Sequence, residues 1–234
     1  MIATGHHARV VSTPAGPRLG RGVDAAKDQS YVLHVIEESV LARMLLPVGE
    51  LTKAEVRRLA MDLDLRTAQK PESQDVCFIT NEHGRAAFLG QRIPLKSAAV
   101  VDRSGEQVGQ VDSVEMVTIG QRKGLGLAGG TDPKYVVDVD VTAEGDRRVM
   151  IGEKADLVAP VTELESWRWV GEPVDGPLRF QCSAHGRVES GRIEDGRRVV
   201  WDEPHRRIAA GQSVVGYDAD DVVVGGGIAG RTPL

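Results

Sequence analysis

Gln212-Ser213-Val214-Val215-Gly216-Tyr217 is a short apolar run, and after Asp218-Ala219-Asp220 it is followed by a second run, Asp221-Val222-Val223-Val224. Short valine-rich runs that are bounded by glycine and aspartate are typical of β-strands. The pattern recurs in the residues before this stretch, where we predict strands over 165–170, 178–184, 187–194 and 197–202. Several strands at such short, regular spacing predict a small β-barrel or β-sandwich.

Composition and patterning extend this prediction toward the middle of the chain. The 234 residues include 27 Gly but only three each of Phe, Trp and Tyr, which favours many tight turns over a large aromatic core. Strands are also predicted over 98–101, 115–119, 135–141 and 148–151. With boundaries near residues 81 and 155, we predict three regions, 1–81, 82–155 and 156–234, of which the last two are rich in β-structure.

The first third of the chain is the only part with strong helical spacing. Apolar residues between Tyr31 and Leu45 recur at intervals of three and four, which predicts a helix that ends at Pro47. Thr52 and Glu55 have the spacing of a capping box, so a second helix is predicted to begin there. Its apolar stripe consists of Val56, Leu59, Ala60 and Leu63. The chain is therefore expected to be of the α+β class.

Charge and cysteine content narrow the possible functions. No apolar run is long enough to span a membrane and the first residues do not form a signal peptide, so we expect a cytoplasmic protein without a membrane partner. The formal net charge of −5 means that any RNA binding is expected to depend on local basic clusters or on a chain segment outside these residues. Cys77 and Cys182 are too far apart for a zinc knuckle or a disulfide framework. The adjacent His6 and His7 have no further ligands nearby, so no metal site is expected.

Two glycine-rich stretches, at residues 124–129 and 225–230, match the pattern G-x-G-x-x-G. A dinucleotide site requires this pattern to lead into a helix, and neither stretch does so. We predict turns and close backbone contacts at both. The preceding Gln121-Arg122-Lys123-Gly124 is a small basic loop that suits either a phosphate or a solvated hairpin tip.

Cys77 lies where a polar loop meets the apolar run 76–79. A cysteine in this setting is either a small buried hydrophobe or a nucleophile, and nearby polar groups such as Lys70 and Ser73 are of the kind that favour a thiolate. Cys182 lies in an alternating strand pattern and is interpreted as structural.

Six motifs in their order along the chain resemble those of tRNA-specific 2-thiouridylases, and the resemblance extends from residue 2 to residue 234. The motifs are Ala3-Thr4-Gly5-His6, Lys27-Asp28-Gln29-Ser30-Tyr31, Pro47-Val48-Gly49-Glu50-Leu51-Thr52-Lys53, Ser73-Gln74-Asp75-Val76-Cys77-Phe78-Ile79, Gly120-Gln121-Arg122-Lys123-Gly124-Leu125-Gly126 and Gly225-Gly226-Gly227-Ile228. The resemblance implies the remnant of an α/β adenine-nucleotide α-hydrolase-like (PP-loop) domain over residues 1–81, then a small β-rich central domain and a C-terminal β-barrel.

The resemblance also implies a reaction. Enzymes of this family use ATP, with Mg²⁺ expected, to adenylate the C2 oxygen of the wobble uridine of tRNA, and then replace that oxygen with sulfur carried as a cysteine persulfide. An upstream protein donates the sulfur. Cys77 matches the persulfide cysteine and Gly5 matches a glycine that touches the nucleotide. The positions that match tRNA contacts are His6, Lys27, Asp28, Gln29, His185, Gly186 and Gln212.

The chain departs from the family pattern in several places. It contains neither the Ser-Gly-Gly-Val-Asp-Ser loop that cradles ATP phosphates nor the second cysteine that completes the displacement and forms a disulfide. His185-Gly186 stands where relatives have Arg-Tyr, and His7 stands where tyrosine is frequent. We therefore expect a truncated gene product or a natural short form that does not thiolate tRNA alone. Two alternatives stay open: a tRNA-docking or sulfur-relay module completed by another chain, and a protein without an RNA role in which Cys77 is buried.

Overall fold

The computed structural model describes residues 1–70, 84–127, 132–141 and 147–233, which form two compact units. The first unit consists of the described residues of Met1–Pro71, Pro160–His205 and Ala210–Thr232. The second consists of the described residues of Glu72–Ala159, Arg206–Ala209 and Pro233–Leu234. The N-terminal segment and most of the barrel region thus share one unit, while the two predicted boundaries stay predictions.

The N-terminal part of the first unit is made of short elements. They are β1 (Ile2–Ala3), β2 (Ala8–Thr13), β3 (Gly16–Arg21), α1 (Ser30–Leu33), α2 (Glu38–Leu41), β4 (Met44–Leu45) and α3 (Lys53–Asp62). β1 pairs in parallel with β4, and β2 and β3 form an antiparallel hairpin that the sequence patterns did not predict. α3 begins with the predicted capping box, in which Thr52 Oγ1 accepts from the Glu55 N–H and the Glu55 carboxylate accepts from the Thr52 N–H.

The prediction of one helix from Tyr31 to Leu45 was wrong. The segment forms α1 and α2, each one turn long, followed by β4. The side chains of Tyr31, Leu33 and Leu41 are buried in a core that also contains Val215, Tyr217 and Val223. Contacts with residues far away in the sequence therefore decide the local conformation, because helical spacing alone is a weak preference that tertiary packing overrides.

The second unit contains a four-stranded sheet. Its elements are α4 (Gly84–Gly90), β5 (Ala98–Val101), β6 (Gln107–Val111), β7 (Tyr135–Asp140) and β8 (Arg148–Gly152). The strand order is β6-β5-β8-β7, with β5 and β8 parallel and the other pairs antiparallel. The strand predicted over 115–119 was wrong, because Val114–Met116 is a turn of 3₁₀-helix that places Val114 in the core. The predicted strands at β5, β7 and β8 are confirmed.

The remaining strands close into a six-stranded barrel. They are β9 (Val158–Trp169), β10 (Leu178–Gln181), β11 (Glu189–Glu194), β12 (Arg198–Arg206), β13 (Ser213–Tyr217) and β14 (Val223–Ala229). Their order around the barrel is β10-β11-β12-β9-β14-β13. Inside it, the rings of Phe180 and Trp201 meet edge to face at 5.7 Å, and Trp201 Nε1 donates to Thr162 Oγ1 at 2.9 Å. The barrel alternative is therefore confirmed over the sandwich.

The two glycine-rich stretches differ in structure. Gly124 and Gly126 have φ of +72° and +64°, so the described part of the first stretch, residues 124–127, turns the chain as predicted. Gly225 and Gly227 lie inside strand β14, so the turn predicted there was wrong. A Cβ atom at Gly225 would lie 2.6 Å from the Trp167 ring, which confirms the predicted close contact. Across the described ranges, no helix has the length and apolar character that crossing a bilayer requires.

Candidate functional site

The segment between β3 and α1, residues 22–30, which we call the Asp28 loop, is organised around one carboxylate. Asp28 Oδ1 accepts from the backbone N–H groups of Gly22 at 2.8 Å and Ser30 at 3.2 Å. Oδ2 accepts from Ser30 Oγ at 2.8 Å and from Arg21 Nε at 3.2 Å. The Asp28 side chain is only 2% exposed. The buried carboxylate therefore holds the loop backbone in place from the protein interior. The sequence motif, by contrast, had suggested that Asp28 contacts tRNA at the surface.

A second set of bonds joins the Asp28 loop to the barrel. Ser30 Oγ lies 3.0 Å from the hydroxyl of Tyr217 on β13, and Tyr217 donates to Gln181 Oε1 at 3.3 Å. Because the single hydroxyl proton of Ser30 points to Asp28, Tyr217 is the donor in its bond with Ser30, so Ser30 Oγ and Gln181 Oε1 are alternative acceptors for the one Tyr217 proton. Burial raises the pKa of Tyr217, which keeps this donor protonated.

The start of α1 is attached to the barrel at another point. The Tyr31 hydroxyl donates to the Ser213 carbonyl at 3.0 Å and accepts from Gln212 Nε2 at 2.9 Å. Burial raises the pKa of Tyr31, so the phenol stays protonated near neutral pH. Gln212 is thus brought beside the end of the Lys27–Tyr31 motif, although the two are separated by 181 positions in the sequence.

The Ala3–His6 motif lies beside the same loop. The Gln29 N–H donates to the His7 carbonyl at 2.8 Å, and the His7 N–H donates to Gln29 Oε1 at 2.9 Å. Gly5 is exposed, His6 is half-buried with Nδ1 2.9 Å from Thr4 Oγ1, and His7 is buried. The structure therefore brings together three predicted contact segments: Gly5 and His6, Lys27 to Gln29, and Gln212.

Two lysines supply a local basic cluster at this place. Burial lowers the pKa of His7, and the neighbouring charge of Lys53 lowers it further, with a smaller contribution from Lys27 and an opposing one from Asp24. Both ammonium groups are therefore close enough to act on the imidazole. The Lys53 N–H donates to Asp24 Oδ2 at 2.9 Å, which ties the start of α3 to the Asp28 loop. The two lysines therefore form a local basic cluster, which the carboxylate of Asp24 partly neutralises.

His185 and Gly186 lie in a turn after β10 that is held by a 3.0 Å bond from the Gly186 N–H to the Ser183 carbonyl. His185 is exposed. Cys182, at the beginning of this turn, is half-buried, and desolvation raises the pKa of its thiol to about 12. The turn follows Gln181, whose side chain bonds to the Tyr217 hydroxyl that also bonds to Ser30, but no hydrogen bond joins the described side chains of the turn to the Asp28 loop.

Cys77 lies outside the described residues, as do Ser73 and Gln74. Gly5 has open space beside it, because a Cβ there would meet no atom within 4 Å. The described residues hold no group of three or more His, Cys, Asp or Glu side chains placed for a metal ion. They also contain no glycine-rich loop that leads into a helix N-terminus. Apart from the backbone at Gly5, the described residues do not fit the phosphates of ATP or their Mg²⁺.

Sequence reasoning missed the residues that hold this site together. Arg21 pairs with both Asp28 and Asp221, at 3.2 and 3.3 Å, and Tyr217 completes the buried network. The spacing of Asp28 and Ser30 is typical of an Asx turn and could have indicated part of it. Nothing in the sequence indicated Tyr217, which is 187 positions from Ser30.

Comparison with known families covers nearly the whole chain in three parts. The family model described as the tRNA methyl transferase HUP domain matches residues 1–81. The model described as the tRNA methyl transferase PRC-barrel domain matches residues 86–152. The Aminomethyltransferase beta-barrel domain matches residues 162–229. These matches agree with an α/β fragment, a β-rich middle part and a closed C-terminal barrel.

Curated relatives carry the name tRNA-specific 2-thiouridylase MnmA. The protein from Trichormus variabilis is 41% identical over 234 residues, which cover 96% of this chain and 65% of the relative. The protein from Carboxydothermus hydrogenoformans is 41% identical, covering 98% and 65%. The protein from Chlorobaculum tepidum is 36% identical, covering 100% and 66%. The chain therefore spans about 65% of the length of these relatives.

Proposed function

Since the chain belongs to the tRNA-specific 2-thiouridylase family, we propose that it takes part in the 2-thiolation of a tRNA uridine. Its first unit contacts the tRNA, and Cys77 carries the sulfur. The residues in contact with tRNA are His6, Lys27, Gln29 and Gln212, with His185 and Gly186 at the neighbouring turn. Asp28 acts in this site as a positioning residue, because its carboxylate already has protein partners.

The observation that carries this proposal is the pair of bonds made by the Tyr31 hydroxyl, to Gln212 and to the Ser213 carbonyl. These two bonds place Tyr31, at the end of the Lys27–Tyr31 motif, next to Gln212 of the barrel region within one unit. Lys27 and Lys53, whose charges act on His7 in the same unit, supply the positive charge that phosphate contacts require. This arrangement supports an RNA-contact role better than it supports a structural barrel without a ligand.

The sulfur-transfer step that we propose takes place at Cys77. The terminal sulfur of a Cys77 persulfide attacks C2 of a uridine whose C2 oxygen has been activated, and a carbon–sulfur bond forms as the bond to the activated oxygen breaks. The sulfur–sulfur bond is then cleaved by a second thiolate, which is left in a disulfide with Cys77. The sulfur that remains on C2 is the 2-thio group.

Cys182 does not suit the role of that second thiol. A thiol with a pKa of about 12 is almost entirely protonated near neutral pH, and the thiolate is the nucleophile. The second thiol in our proposal therefore belongs to another segment or another protein. A cytoplasmic location and an upstream persulfide donor also form part of the proposal.

Activation of C2 by ATP is expected from the family resemblance, but the described residues do not form a phosphate site for it. Residues 1–234 contain no Ser-Gly-Gly-Val-Asp-Ser segment. We propose that a polypeptide of these residues binds tRNA but produces no 2-thiouridine from tRNA, ATP and a persulfide donor. A second candidate function, a tRNA-docking or sulfur-relay module completed by another chain, is consistent with the lack of a phosphate site among the described residues.

The test measures tRNA binding and the accessibility of Cys77 in the same preparation. An unmodified tRNA transcript should shift the 234-residue chain in a gel, and the double variant Lys27→Ala/Gln29→Ala should weaken the shift at least tenfold. Bound tRNA should also slow the alkylation of Cys77 by iodoacetamide, read by mass spectrometry. If the wild-type chain does not bind tRNA and Cys77 resists alkylation in the folded state, the protein has no RNA role.

A further inference from the structure

The turn between the 3₁₀-helix and β7, residues 118–126, which we call the Arg122 loop, is held in one conformation by its own side chain and backbone. Gln121 accepts from the Thr118 N–H at 3.1 Å through Oε1 and donates to the Lys123 carbonyl at 2.8 Å through Nε2. The Gly120 N–H donates to the Val136 carbonyl at 2.7 Å, and the Val136 N–H donates to the Gln121 carbonyl at 2.9 Å. The beginning of the loop is thereby paired to β7.

The end of the loop is fixed as firmly. Leu125 is 2% exposed and belongs to the hydrophobic core of the second unit. Gly126 approaches β6 so closely that a Cβ there would lie 2.6 Å from the Gln110 carbonyl oxygen. Both ends are thus anchored while the tip, Arg122 to Gly124, is exposed. A rigid loop loses little conformational entropy when a ligand binds to its tip.

The tip carries two exposed cations. Among the residues that the structure describes, neither Arg122 nor Lys123 makes a salt bridge or a side-chain hydrogen bond. The guanidinium of Arg206 lies against Gly120 and donates to the Ile119 carbonyl at 3.3 Å, so a third cation borders the loop. Arg103 in the same unit, by contrast, pairs with Asp156 at 2.9 Å.

We propose that the Arg122 loop binds the phosphate backbone of the tRNA, through the side chains of Arg122 and Lys123. This contact lies in the second unit and is separate from the site in the first unit. The inference rests on the proposed function, since the tRNA is the polyanion that this chain is proposed to bind. Because phosphate contacts carry no base specificity, the loop positions the RNA without selecting its sequence.

The experiment compares tRNA binding by the full chain and by the double variant Arg122→Glu/Lys123→Glu across salt concentrations from 50 to 200 mM. A protein that gives up two phosphate contacts should bind about tenfold more weakly at 0.1 M salt, and the magnitude of its log–log salt slope should fall by about two. The matched control is Arg85→Glu/Lys154→Glu, which makes the same change in net charge at two exposed positions of the same unit. Its binding should stay within about threefold of the wild type.

A second variant tests the rigidity of the loop without a change of charge. Gln121→Ala removes the bonds to Thr118 and Lys123, so binding should weaken by a few fold while the salt slope stays nearly the same. Circular dichroism of each variant checks that the fold is intact.

The outcomes separate this inference from the proposed function. If the wild type binds tRNA and Arg122→Glu/Lys123→Glu binds equally well, the loop proposal is wrong and the proposed function stands. An equal loss in the Arg85→Glu/Lys154→Glu control also overturns it, because net charge alone then explains the effect. If millimolar ATP competes away the part of tRNA binding that depends on Arg122 and Lys123, the loop binds a free nucleotide and the loop proposal is wrong. If the wild type does not bind tRNA, both proposals fail.

Discussion

The hydroxyl groups of Tyr217 and Ser30 lie 3.0 Å apart, in the interior of the first unit and 187 positions apart in the sequence. The Ser30 hydroxyl donates a hydrogen bond to Asp28, and the Tyr217 hydroxyl donates one to Ser30 or to Gln181. One end of this chain of bonds shapes the Asp28 loop, and the other end lies in barrel strand β10. The conformation of the loop is therefore determined in part by the barrel.

Replacing Tyr217 by Phe should destabilise the first unit by about 1–2 kcal/mol. The change deletes a buried donor and leaves Ser30 Oγ and Gln181 Oε1 without it, and a buried acceptor that loses its partner costs about 1–3 kcal/mol. Urea unfolding followed by tryptophan fluorescence reports on this unit, because Trp167, Trp169 and Trp201 all lie in it. Tyr135→Phe, in the other unit, is the control and should leave that transition unchanged.

Replacing Asp28 by Asn should have a larger effect than Tyr217→Phe. The side chain of Arg21 is 12% exposed and that of Asp28 is 2% exposed, so the substitution leaves a poorly solvated cation with one partner fewer. Breaking a buried ion pair on one side costs about 3–5 kcal/mol, and the remaining bond from Arg21 to Asp221 should keep the loss near the lower end. The same fluorescence-monitored unfolding measures it. A stability equal to the wild type would show that the carboxylate charge is unimportant.

Two glycine substitutions should separate a ligand contact from a structural need. A Cβ at Gly49 would overlap the Ala8 carbonyl oxygen, so Gly49→Ala should destabilise the first unit by more than about 2 kcal/mol. A Cβ at Gly5 would meet no atom within 4 Å, so Gly5→Ala should leave the unfolding transition within about 0.5 kcal/mol of the wild type. If Gly5→Ala lowers nucleotide or tRNA binding in titrations without loss of stability, the effect comes from the ligand contact.

Stability should depend on pH through two histidines. Burial lowers the pKa of both His7 and His34 below the ordinary value of 6.5, so the unfolded chain binds more protons than the folded chain just below pH 6.5. The free energy of unfolding should therefore be constant above about pH 7 and decrease as the pH falls from about 6.5 toward 5. Urea titrations at pH 7.5, 6.5 and 5.5 measure this decrease. The double variant His7→Gln/His34→Gln should flatten it, and an unchanged slope would show that other groups titrate.

Cys182 should be inert toward alkylation in the native protein. Its burial raises the pKa of the thiol to about 12, and iodoacetamide reacts with the thiolate. At pH 8 the native chain should show no adduct at Cys182 after a time in which the urea-unfolded chain is fully modified. Mass spectrometry of tryptic peptides distinguishes this cysteine from Cys77.

The capping box and most barrel strands could be predicted from the sequence, because both depend on local patterns. Thr52 and Glu55 lie three positions apart, and strands β13 and β14 contain short runs of apolar or alternating apolar and polar residues. The division of residues 31–45 into α1, α2 and β4 could not be predicted, since it depends on burial of Tyr31 and Leu41 against β13. For the site, the family motifs predicted which residues to consider, but not that Asp28 would be buried and Gln212 bound to Tyr31.

The bonds from Ser30 to Tyr217 and from Tyr31 to Gln212 have a practical consequence for engineering. Two segments that family models describe separately, residues 1–81 and 162–229, have described residues that share one core and one hydrogen-bond network. In a chimaera that takes its N-terminal segment from one relative and its barrel from another, both partners of each bond would have to come from the same parent or be matched by design. In such a chimaera the two segments therefore have to be exchanged together.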